Sequence, residues 1–254
     1  MEKRLWTREE RIVAFNLYLK IEFGKTHARN PKIIELANII ARTPASIVMR
    51  LGNFASIDPY HQNRGVGGLK NGMNQVKPIW EEFFNNKEEL IFLSEKILAE
   101  KQNTSIENKY QDILFDLKNL KGEDVVRQVK TRVNQSVFRQ MVLTNYDGKC
   151  AITGIDMPEL LLASHILPWS KNENERLNPE NGICLSALYD KAFDKGLIGI
   201  NQNYEVQVSP IIKKDTFFYQ THFGTIENKR IIDPQKYYPN KDFLDYHQKN
   251  IFKK

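Results

Sequence analysis

An apolar run over residues 160–164 stops at a histidine, His165, and the chain then enters a proline-bearing loop over residues 168–179. The pair Asn181-Gly182, the commonest turn dipeptide, opens a second apolar run. Asp190 and Asp194 follow at i, i+4, a spacing that a helix turns to one face. Phe193 and Leu197 read as the core anchors of that helix, and Gly196 as the residue ending it in a left-handed turn. A strand over 197–200 and a turn over 201–204 lead back into a second strand over 205–208. A polar base at a strand end and paired carboxylates on a short helix therefore lie within some thirty residues of each other.

The rest of the chain must supply a core and a partner for that segment. At 254 residues two domains are affordable, and 41% hydrophobic content with 14 Phe and 10 Tyr excludes wholesale disorder. No window approaches 18 uncharged apolar residues, so no membrane span is expected. The first ten residues carry charge where a signal peptide needs an apolar core, and a cytoplasmic location is the expectation. Cys150 and Cys184 are too few for a disulfide framework or a four-cysteine zinc site, and read as small buried hydrophobes. The net charge of +6 is uneven: residues 1–86 carry 13 Lys/Arg against 8 Asp/Glu, which points to a polyanion partner.

Three zones follow. In residues 1–85, Thr7 and Glu10 predict a capping box for a first helix, Asn30-Pro31 starts a second, and Thr43-Pro44 a third running to about Leu51. This reads as a helix-turn-helix-like module, with Arg42, Ser46, Met49, Arg50 and Asn53 offered to DNA; the alternative is a trihelical packing unit. The glycine-bearing segment 58–78 reads as a loop. Residues 86–121 read as a helical linker, with one stripe of Leu90, Leu93, Ile97 and Leu98 and another of Ile113, Leu114, Leu117 and Leu120; it also offers a homodimer contact. Residues 122–254 open with Arg127, Lys130, Arg132 and Arg139 interleaved with valines and Phe138, a basic helix face suited to DNA phosphates or simply to solvent.

The spaced elements Arg132, Gln135, Phe138-Arg139, Val142-Leu143, Tyr146 and Cys150-Ala-Ile-Thr-Gly154, with the residues that follow, resemble HNH endonucleases of the bacterial restriction type. The resemblance covers roughly residues 125–252, and its tail is Phe243-Leu-Asp-Tyr-His-Gln-Lys-Asn-Ile-Phe252. It implies a ββα-metal fold in which His165 is the general base and Asn181 ties the loop to the strand. Many such proteins carry a second histidine nine residues after the asparagine; this chain has Asp190 there, with Asp194 one turn on. Oxygen ligands in place of nitrogen favour a hard divalent metal, Mg²⁺ first and Mn²⁺ second. The position before the base, often a metal-binding Asp or His in related sites, is Ser164, whose hydroxyl is a poor ligand.

The expected architecture is thus α+β: a helical DNA-reading module, a helical linker and a C-terminal ββα-metal nuclease. The expected activity is metal-dependent hydrolysis of double-stranded DNA, in a restriction or phage-defence setting by analogy. Two rivals are a non-catalytic DNA-binding regulator on a degenerate HNH domain, and a structural zinc module around Cys150 and Cys184.

Overall fold

A computed structural model describes residues 4–21, 23–65, 70–114, 123–214 and 216–254. The chain divides into two compact units, Met1–Val137 and Phe138–Lys254. The division falls inside a long helix, so the described part of the stretch expected as a linker, 86–114, clusters with the first unit.

In that unit α1 (Arg8–Lys20), α2 (Pro31–Ile39) and α3 (Pro44–Ala55) start where the capping residues predict. The Glu10 amide donates to Thr7 Oγ1 at 3.2 Å and the Thr7 amide to Glu10 Oε2 at 3.0 Å, closing the capping box. Asn30 and Thr43 cap the next two helices, each followed by a proline whose φ suits the first turn. Helix α3 runs a turn beyond Leu51 because Phe54 and Ala55 are core residues; Phe54 stacks on Phe15 at 4.7 Å.

The segment 58–78 is largely helical rather than a loop. It forms α4 (Pro59–Gln62) and the start of α5 (Lys70–Phe83), while residues 66–69 lie outside the described residues. Gly72 lets α5 pack close to α3: a Cβ there would meet Asn53 Oδ1 at 2.4 Å, and the Asn53 side chain would have to move. That packing corrects the outward placement of Arg50, whereas Met49 stays exposed. Arg50 is 5% exposed, donates to Gln75 Oε1 of α5 at 2.9 Å, and lies over the Trp6 ring.

Helices α6 (Lys87–Lys101) and α7 (Ile106–Lys109) complete this unit before α8 (Glu123–Asn145). The buried face of α6 is Leu90, Ile91, Ser94, Glu95 and Ile97, shifted from the expected stripe because α1 supplies polar partners. Glu95 accepts from Asn16 and pairs with Lys20 at 2.6 Å and Lys109 at 2.9 Å. Burial pushes its carboxyl up, but the two ammoniums outweigh that and hold it at about 2. Ile106 and Leu114 pack with Val129 and Val133 of α8; Leu117 and Leu120 lie outside the described residues.

The second unit begins at Phe138 on α8. Strands β1 (Leu161–His165) and β2 (Gly182–Ser186) pair antiparallel, with Leu161 opposite Ser186 and His165 opposite Gly182. Helix α9 (Ala187–Asp194) follows β2 directly, giving strand, strand, helix in sequence. Gly196 ends it at φ +66°, and a Cβ there would lie 1.9 Å from the Ile251 carbonyl oxygen. Strands β3 (Ile198–Ile200) and β4 (Val206–Val208) form the expected second hairpin. The short α10 (Pro210–Lys213), α11 (Thr216–His222) and the C-terminal α12 (Lys241–Asn250) complete it. Phe193 anchors α9 as expected, whereas Leu197 is half-buried and Ile198 takes the core position.

Candidate functional site

His165 occupies the last position of β1, where the apolar run places it, and its imidazole is held from three sides. The Phe138 ring lies flat against it, 4.0 Å between centroids and 13° from parallel. Trp169 meets it edge-on at 5.3 Å. On the third side, Nε2 is 2.9 Å from the Arg176 carbonyl oxygen. A carbonyl only accepts, so Nε2 carries the proton and Nδ1 is the bare, basic nitrogen. Burial lowers the imidazole's proton affinity, against the opposing pull of the Arg176 carbonyl and Asp190, so the neutral base is the favoured form.

The loop between β1 and β2 is organised by Asn181, which is 2% exposed. Its Oδ1 accepts from the Leu167 amide at 2.7 Å, and its Nδ2 donates to the carbonyls of Glu175 at 3.0 Å and Leu167 at 3.4 Å. The start and the middle of the loop are thereby tied to one side chain next to β2. The guanidinium of Arg176 turns inward, with Nε donating to the Trp169 carbonyl at 2.7 Å and Nη2 pairing with Glu173 at 3.2 Å. It braces the loop.

His165, Ser164, Asp190 and Asp194 line one cleft of about 430 Å³, with Trp169, Lys191, Lys195 and His247 around them. Asp190 and Asp194 sit one turn apart on α9, as their spacing requires. The Ser164 hydroxyl donates to Asp190 Oδ1, so this serine orients a carboxylate. Burial and the neighbouring Asp190 raise the Asp194 carboxyl, against Lys191 and Lys195. A carboxylate pair one helical turn apart, with the charge of Asp194 disfavoured by Asp190, is a natural seat for a cation.

The donor set also limits which cation fits. Among the described residues, no group of three or more His, Cys, Asp or Glu is gathered closely enough to cage a metal. Mg²⁺ asks for less, since it takes one or two carboxylates and completes its shell with water and substrate phosphate. The carboxylate pair suits such a metal. Cys150 and Cys184 are both buried, and the Cys150 sulfur accepts from the Ser186 amide at 3.3 Å, a packing role between loop and strand.

The basic residues expected to face DNA fare unevenly. Arg42 donates to the Arg4 and Leu5 carbonyls and to Glu10 at 2.8 Å, so it is structural, like Arg50. Arg139 donates to the carbonyls of Leu161 at 2.5 Å and Pro158 at 3.0 Å, holding the start of β1 to α8. Backbone carbonyls brought in by the fold claim the Arg42 and Arg139 guanidiniums, and the Gln75 side chain claims that of Arg50. Lys130 pairs with Glu89 at 2.7 Å, an acid from a distant stretch that supplies what the acid-free run of α8 lacks. Arg127 remains 80% exposed beside Asp124, and Ser46 is half-buried at the start of α3.

His247, to which no sequence motif assigns a role, is 1% exposed and lines the cleft. Its Nε2 bonds the Phe193 carbonyl at 3.0 Å and its ring stacks on Phe193 at 3.8 Å, fastening α12 to α9; burial lowers it to about 4. Lys191 and Lys195 were also overlooked, although their flanking of two aspartates on one helix was visible in the sequence.

No curated protein matches the chain. Residues 150–201 match the family HNH_2, described as HNH endonuclease, a span holding β1, the Asn181 loop, β2, α9 and β3. The second unit therefore carries an HNH-type endonuclease domain.

Proposed function

We propose that the protein is a divalent-metal-dependent DNA endonuclease in which His165 is the general base and Asp190 and Asp194 hold the metal. The observation that carries this reading is the hydrogen bond from His165 Nε2 to the Arg176 carbonyl: it leaves Nδ1 basic in the same cleft as two adjacent carboxylates. A neutral imidazole so held can take a proton from a water molecule as it attacks a phosphodiester. Asn181 keeps the loop that carries Arg176 closed on the base. Ser164 orients Asp190. Lys191 and Lys195 line the cleft where a polyanion must enter and offer it positive charge. A bound Mg²⁺ or Mn²⁺ would stabilise the charge that develops on the phosphate and the departing oxygen.

Double-stranded DNA is the proposed substrate, and cleavage of both strands by one site per chain requires a dimer or two successive events. Arg127, Lys130 and Arg132 are kept as proposed phosphate contacts, and the helix-turn-helix reading of the first unit as a proposal without Arg42 and Arg50. A restriction or phage-defence setting is the biological role that the resemblance implies.

The test is a divalent-ion titration of plasmid cleavage by the wild type, Asp190→Ala and Asp194→Ala. Each substitution should raise the ion concentration needed for half-maximal rate. Unaltered titrations for both would remove the pair from the metal site.

A further inference from the structure

We propose that Phe138 is a positioning residue for His165, its ring holding the imidazole in the one plane that turns Nδ1 into the cleft. The inference rests on the reading of His165 as the base. A hydrogen bond to Arg176 fixes one atom of the imidazole and leaves the ring free to tilt about that contact. A flat neighbour 4.0 Å away and 13° from parallel removes the tilt, because any rotation drives the imidazole edge into the Phe138 face. Trp169, edge-on at 5.3 Å, limits motion within the plane.

The stack has a visible structural cause. Gly182, the register partner of His165 on β2, faces α8: a Cβ there would lie 2.3 Å from Val142 Cγ2 and 2.9 Å from Phe138 Cζ. A side chain at 182 would therefore push α8 off the hairpin and lift the ring from the imidazole. The Asn181-Gly182 pair thus has two jobs. Asn181 closes the loop on one side of the base, and Gly182 lets Phe138 reach it from another. Phe138 touches neither substrate nor metal in this account; it acts through His165.

The test compares Phe138→Leu, which keeps an apolar side chain but no flat ring, with Val142→Ala, which loosens the same helix–strand contact without touching the imidazole. Nitrogen-15 spectra of the histidine side chains should show His165 locked as the Nε2–H tautomer in the wild type and in Val142→Ala. In Phe138→Leu, tilting should swing the Nε2–H out of line with the Arg176 carbonyl and weaken that hydrogen bond, so the Nδ1–H tautomer should become populated. Single-turnover cleavage at saturating DNA should slow about 10- to 100-fold in Phe138→Leu, with DNA affinity unchanged, since small misplacements of a reacting group cost that much. A folded Phe138→Leu with the wild-type tautomer, or a Val142→Ala slowed to the same extent, would overturn the proposal. His165→Ala, run alongside, separates the two readings: if it still cuts, the base assignment has failed, while the spectra judge the stack independently.

Discussion

Replacing Asn181 by alanine should open the loop on which His165 depends, and its cost can be worked from three contacts. The side chain accepts from the Leu167 amide at 2.7 Å and donates to the carbonyls of Glu175 and Leu167 at 3.0 and 3.4 Å. The first is short and strong; the last is at the limit of a hydrogen bond and contributes little. An orphaned buried donor costs about 1–3 kcal/mol and a lost ordinary hydrogen bond about 1 kcal/mol. Leu167 is only half-buried, so water can replace part of what its amide loses, and the low end of that range applies. The sum is about 2 kcal/mol, or roughly a 30-fold loss of protection. Amide hydrogen exchange reads this locally, which matters in a chain of two units where global unfolding is a poor gauge. The Leu167 amide should exchange about 30-fold faster in Asn181→Ala, with core amides such as Phe193 unchanged. A change under about threefold would refute the idea that Asn181 holds the loop.

Other outcomes follow from the same structure. Because burial outweighs the Arg176 and Asp190 contacts at His165, cleavage should rise with pH through a midpoint below the ordinary histidine value of about 6.5, and be flat above it; a midpoint above 7 in the rate profile would contradict this. The same sign applies to stability, since the unfolded chain takes up the proton first and folding weakens as pH falls below about 6.5. Asp194→Asn should leave the metal-free protein as stable or slightly more so, by under about 1 kcal/mol given its exposure, while weakening Mg²⁺ binding measured calorimetrically. Glu95→Ala strands two lysines in the first unit and should cost about 3 kcal/mol, lowering that unit's melting temperature by roughly 10 °C in a calorimetric scan; a shift of a degree or two would mean that the network contributes nothing.

The local grammar of this chain was readable where one residue type satisfies one backbone need. The caps at Thr7, Asn30 and Thr43, the left-handed Gly196 and the strand end at His165 all follow from such rules. What the sequence concealed was tertiary. Gly72 reads as a loop glycine until α3 is seen against it, and Arg50 reads as a surface residue until Gln75 and Trp6 enclose it. The same holds for α6, a polar-looking helix that is buried once Asn16 and Lys20 satisfy Glu95 from another helix. In the site, the strand end and the one-turn carboxylate pair were legible, but no spacing rule tells that Phe138 stacks on His165 or that His247 stacks on Phe193.

The most direct test of the central claim is plasmid cleavage by the wild type and His165→Ala, each with Mg²⁺, Mn²⁺ or EDTA, beside a DNA-binding assay of both. The account predicts metal-dependent cutting by the wild type, none in EDTA, and a loss of cutting in His165→Ala with DNA binding retained. Undiminished cutting by His165→Ala would contradict it, and binding without cleavage in both proteins under every ion would favour a DNA-binding regulator instead.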